Sequence, residues 1–153
     1  MDPVPQIQPL RFLLGTWRGR GRGDYPTIDA FEYEEEVTFS HVGKPFLIYQ
    51  QKTWDHDGRP LHAEMGYMRP VGTTGAELVL AQPSGITEIH SGTLDEQTLA
   101  FTADSVGVSP TAKEVRAVAR TLKVVGDTLT YQLEMAAVGH AMQFHLEATL
   151  IRS

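Results

Sequence analysis

The chain contains no cysteine. That removes disulfides, thiolate metal sites, iron-sulfur clusters and cysteine nucleophiles together, and it suits a reducing compartment. Histidine is left as the main soft ligand. Long apolar runs are missing too, because polar residues interrupt every hydrophobic stretch within a few positions. No segment approaches the roughly 20 apolar residues of a membrane-spanning helix. Positive charge is in short supply: thirteen Lys and Arg against nineteen Asp and Glu give a formal charge of -6. This is the wrong sign for a protein that binds by neutralising phosphates, so neither nucleic acid nor membrane is expected as a partner. The opening MDPVPQIQPL, with Asp2 and three prolines, lacks the apolar stretch of a secretory signal, and the expected location is the cytoplasm.

What is present suits a packed globular protein: 153 residues, 41% hydrophobic and 21% charged, enough for one domain. Residues 1–9 read as an N-terminal extension and residues 10–153 as the domain. Leu10 to Leu14 suggest a short helical turn that Gly15 stops. Beyond it the pattern is strand and turn. Strands are expected at 33–40, 45–54, 61–69, 76–81, 86–92, 98–103, 113–124, 128–136 and 142–152, with one more carrying Trp17, about ten in all. Period-two alternation is clearest where Leu129, Tyr131, Leu133 and Met135 face away from Thr130, Gln132 and Glu134. An all-β chain of this kind loses its exposed edges by closing, which predicts a single closed antiparallel β-barrel of about ten strands. A barrel that wide is not filled by side chains alone, so a ligand cavity is expected.

The segment GTWRGRGRGDY puts Gly15, Trp17, Gly19 and Gly21 on one face of a strand and Thr16, Arg18, Arg20 and Arg22 on the other. A face without side chains lets the strand bend and lets another backbone approach closely, while Trp17 can plug one end of a barrel. The glycines do not have phosphate-loop spacing, and no helix follows them. Six histidines remain as candidates. The His62-Ala63-Glu64 triplet mimics half of a zinc deaminase motif whose cysteine half cannot exist here. A zinc site from His56, His62 and Glu64 would need three or four converging ligands, which the spacing does not enforce. Glu34, Glu35 and Glu36 form one acidic run and read as a solvated face. No GxSxG elbow is present. His145 stands out by its setting between Phe144 and Leu146. Simple alternation, however, groups it with Gln143, Glu147 and Thr149, opposite Phe144, Leu146, Ala148 and Leu150, and points it outward unless a bulge intervenes.

Four stretches together, GTWRGRGRGDYPTI, FSHVGKPFLIYQQKTW, LHAEMGYMRP and FHLEATLIR, resemble the nitrobindin family from about Leu10 to the end of the chain. The resemblance implies a haem-binding β-barrel similar in shape to lipocalins and fatty-acid-binding proteins. One haem b per subunit is implied, with His145 as the iron ligand and catalytic residue. It implies that Leu61 and His62 face the distal side, Leu61 standing where the family carries methionine, and that Thr27 and Lys113 contact the haem periphery. Gly15, Trp17, Gly19 and Gly21 are implied as barrel support. The implied activity is isomerisation of peroxynitrite to nitrate at ferric iron, with no net electron consumed, together with reversible nitric oxide binding. Peroxynitrite and nitric oxide are thus the expected partners, and a homodimer is allowed. The competing expectation is a non-catalytic haem or nitric oxide sensor, or a carrier of a small apolar ligand.

Overall fold

A computed structural model describes residues 1–153. A 3-10 helix, Pro5–Leu13, leads into ten strands: β1 Gly15–Tyr25, β2 Ile28–Ser40, β3 Leu47–Trp54, β4 Pro60–Val71 and β5 Gly75–Gln82, then β6 Ile86–Asp95, β7 Thr98–Val108, β8 Val115–Val125, β9 Thr128–Ala137 and β10 Gln143–Arg152. Each strand pairs antiparallel with its neighbour in sequence, and β10 returns to pair with β1, closing the barrel. The expected all-β closed barrel is therefore the observed architecture.

Where the boundaries differ, the cause is local. β2 begins at Ile28, five residues before the alternation becomes legible, because the Pro26-Thr27 turn brings it at once into register with β1. β8 begins at Val115, which leaves Lys113 in the β7–β8 connection. The helical turn expected at Leu10 starts at Pro5, and Ile7, inside the stretch read as an extension, is fully buried beside Leu10 and Leu13.

This helix closes one end of the barrel. The Trp17 indole, fully buried, donates its Nε1 hydrogen to the Leu13 carbonyl at 2.8 Å. The Arg152 guanidinium stacks over the same indole at 4.1 Å and donates to the carbonyls of Phe12, at 3.0 Å, and Leu14. The last helical carbonyls, which have no partner within a helix this short, are satisfied by these side chains.

The bare face of β1 does what its composition suggests. A Cβ on Gly19 would land on the Thr149 carbonyl oxygen and against the Leu150 backbone, and one on Gly21 would overlap the Tyr33 phenol. Outside, Arg18 pairs with Glu36 at 2.7 Å and Arg22 with Glu147 at 2.5 Å. The acidic run of β2 is not one solvated face. Glu34 and Glu36 point out, but Glu35 points into the barrel and is buried. The reason is period two: Tyr33, Glu35, Val37 and Phe39 share the inward face.

Candidate functional site

The β1–β10 ladder stops at the Gly23–Leu146 pair, at the end of the barrel opposite the helix. The next opposing residues are Asp24 and His145, and the register slips there on both sides. β10 carries one extra residue against β9 between Phe144 and Leu146, and β1 slips against β2 between Gly23 and Tyr25. A bulge of this kind inverts the alternation on one side of it. Phe144, grouped with the inward residues by simple alternation, is turned out beneath the Arg22 guanidinium at 4.6 Å. His145 is turned to line the interior.

Freed from the ladder, the Asp24 carbonyl lies 3.2 Å from His145 Nδ1. A carbonyl only accepts, so Nδ1 carries the hydrogen and Nε2 keeps its lone pair. Burial holds the imidazole below its ordinary titration range against the opposing Asp24 contact, with the charges of His62 and Arg120 adding to the lowering. The ring is therefore a neutral donor of fixed tautomer. Tyr25 packs edge-on against it with centroids 5.4 Å apart. The Tyr25 hydroxyl is pinned to β9, donating to the Met135 carbonyl at 3.1 Å and accepting from the Ala137 N–H at 2.8 Å.

His145 lines a cavity of about 820 Å³ at this open end, within the range of small-molecule and cofactor pockets. Thr27, Leu61, His62 and Lys113 line the same cavity. Thr27, in the β1–β2 turn, and Lys113, in the β7–β8 connection, are exposed at its rim. Leu61 and His62 come from the start of β4, where Thr53 pairs with His62 but Trp54 with Pro60, so Leu61 is itself the extra residue of a bulge. His56 lies elsewhere, 3.4 Å from Glu32, and this separates the His56, His62 and Glu64 trio considered for zinc.

The floor of the cavity was not foreseen from sequence. Arg120 on β8 donates to Glu64 at 2.6 Å and to Glu88 at 2.9 Å, all three buried. Glu64 also accepts from the Tyr49 hydroxyl at 2.8 Å and lies 3.2 Å from His62 Nε2. Glu88 lies 2.8 Å from His90 Nε2 and accepts from Gln82. Burial alone would raise both carboxyls, but the Arg120 charge and the hydrogen bonds from Arg120 and the histidines outweigh it and hold both below the ordinary range. Glu35 goes the other way. It accepts from the Tyr131 hydroxyl at 2.7 Å and from Gln51 Nε2 at 2.9 Å, yet burial dominates and pushes it up to about 7. A signal did exist: Ile86, Glu88 and His90 share one face of β6, and Val118, Arg120 and Leu122 one face of β8.

These residues fit a haem. A neutral imidazole anchored through its second nitrogen is the usual protein ligand of haem iron. Phe31, Val118, Leu133, Met135 and Leu146 supply apolar wall, and Lys113 supplies positive charge at the exposed rim.

Residues 6–152 match the family model described as "THAP4-like, heme-binding beta-barrel domain". The chain is 54% identical to "Peroxynitrite isomerase 2" of Mycobacterium ulcerans over 156 residues, covering 99% of this chain and 97% of that protein. It is also 54% identical to "Peroxynitrite isomerase 1" of Mycobacterium tuberculosis, with the same coverage of each. The crystal structure of Rv2717c from M. tuberculosis superposes with a TM-score of 0.93 at 51% identity, covering 99% of both chains. The nitrobindin resemblance is thereby borne out, and the chain belongs to the THAP4-like, heme-binding beta-barrel family.

Proposed function

We propose that this protein binds haem b through His145 and isomerises peroxynitrite to nitrate, and that it binds nitric oxide reversibly. The observation that carries the reading is the bulge at His145, which turns an imidazole of fixed tautomer into an 820 Å³ cavity. The names of its 54%-identical relatives support the reaction. Haem held there would supply a ferric Lewis acid.

The chain's own residues do the rest. His145 offers Nε2 while the Asp24 carbonyl holds Nδ1, and Tyr25 limits rotation of the ring. Leu61 and His62 line the cavity from β4, and Lys113 and Thr27 at its rim would meet the porphyrin's polar edge. Arg120 ties Glu64 and Glu88 together across the floor and neutralises one of their two negative charges.

Haem titration followed by visible absorbance tests the ligand assignment. His145→Ala should weaken haem binding by about a hundredfold or more while the barrel still folds, and His140→Ala should change little. An unchanged ferric spectrum in His145→Ala would overturn it. Stopped-flow decay of peroxynitrite tests the activity: holo-protein should accelerate decay over apo-protein, and equal rates would leave a carrier.

A further inference from the structure

Next to the main cavity lies a smaller void of about 40 Å³ that shares Gln51, Glu64 and Arg120 with its lining. Five apolar side chains, among them Val37, Leu129 and Leu146, line it together with Tyr49, Gln51, Glu64, Arg120 and Tyr131. Gln51 is buried, and its Nε2 is used by Glu35, but its Oε1 has no hydrogen-bond partner in the protein. An amide turned the other way would leave Nε2 in that place, so either orientation leaves one polar end unpaired. A buried acceptor left alone is costly, and native proteins rarely tolerate one. The void is large enough for a solution: a water needs roughly 10–15 Å³ of free volume and two to four polar partners.

The groups on either side of the void are proton carriers. On one side, the Tyr33 hydroxyl lies 2.6 Å from that of Tyr131, which donates to Glu35. On the other, Glu64 bridges Arg120 and His62, and His62 is a partly exposed wall residue of the main cavity. Without an intervening group the two networks do not touch: no hydrogen bond joins Glu35, Gln51, Tyr33 or Tyr131 to Glu64, Arg120 or His62.

We propose that the void is a water site, and that its water, held by Gln51, joins the Tyr131 hydroxyl to Glu64 and so completes a proton path between Glu35 and His62 in the main cavity. The proton moves along the direction of these hydrogen bonds: His62 passes one to Glu64 and Glu64 one to the water, and the water passes one to the Tyr131 oxygen as Tyr131 passes its own to Glu35, so that each carrier ends with the number of protons it began with except the two ends. The charged and titratable groups facing Glu35 are Tyr33 from its own strand, Tyr49 from β3, Glu64 from β4, Arg120 from β8 and Tyr131 from β9. Of these, Glu64 raises its proton affinity, and Arg120 and the Tyr131 hydrogen bond lower it. Gln51 is the positioning residue, since it holds the water but cannot relay a proton as an amide.

Two measurements on the apo-protein test this. A high-resolution crystal structure should show one ordered water within hydrogen-bond distance of Gln51, and an empty void that admits xenon would overturn the site. Difference infrared spectroscopy near pH 6 should show a protonated carboxyl band that disappears in Glu35→Gln. Its exchange on transfer to deuterated buffer should slow about tenfold in Gln51→Leu and in Tyr131→Phe. Exchange at the wild-type rate in both folded variants, or no band lost in Glu35→Gln, would refute the path. Because neither measurement involves haem, its outcome is independent of the His145 assignment.

Discussion

Glu35 and Glu64 face the same interior, yet they respond to pH with opposite signs. Glu35 rises from an ordinary 4.5 to about 7, so between those values the folded protein holds a proton that the unfolded chain releases. Its contribution to stability is complete below about 4.5 and is lost as pH rises toward 7. Glu64 and Glu88, held low by Arg120, contribute stability that is present above the ordinary carboxylate range and is lost as pH falls through their folded values. Glu35→Gln removes only the first of these. The apo-variant should gain on the order of 3 kcal/mol over wild type between pH 5 and 8 in urea titrations, and an unchanged pH slope would contradict this. Arg120→Met leaves two buried carboxylates without their cation, and should cost about 3–5 kcal/mol in the same assay at pH 7. Two single-residue changes of similar size thus move stability in opposite directions.

At the level of the strand, the site is made by the end of a ladder. β1 and β10 pair regularly for as long as glycines on β1 let the β10 backbone lie close, from Trp17–Arg152 to Gly23–Leu146. They separate where Asp24 meets His145. Gly19→Ala would force a methyl against the Thr149 carbonyl, and neither strand can move away without opening the barrel wall. It should destabilise the fold by about 1–3 kcal/mol, measured as a shift of the urea midpoint at constant slope. Deleting His145 is the corresponding test of the bulge. With the extra residue gone, the alternation of β10 runs on unbroken, so the barrel should fold with unaltered far-ultraviolet dichroism but without measurable haem uptake. Substituting the histidine and deleting it would then agree in binding, with Phe144 facing outward in both.

The molecule as a whole has a closed end and an open one. The 3-10 helix, Trp17 and Arg152 seal the first, and the bulges at Asp24, Leu61 and His145 surround the second. Trp17→Phe keeps an aromatic plug but leaves the Leu13 carbonyl without its donor, a loss of about 1–3 kcal/mol. Native-state hydrogen exchange should quicken for helix amides in this variant, while haem affinity at the opposite end stays at the wild-type value.

The strand count, the antiparallel order and closure were all legible, because period-two alternation bounded by turn residues is a local signal and a ten-stranded meander has few ways to hide its edges. The glycine face of β1 was legible for the same reason: missing side chains are read directly from GTWRGRGRGDY. The direction of His145 was not, since one extra residue in a ladder depends on which partner residues pair, and β10 alone contains no mark of its own slip. Glu35 was hidden among acids of the wrong parity, and the Glu64–Arg120–Glu88 floor joins β4, β6 and β8 across the barrel. Chain-local periodicity determined that there would be a barrel with an interior; the pairing of its strands decided which charges meet inside it and which imidazole turns inward, because both depend on contacts between strands that no single stretch of sequence records.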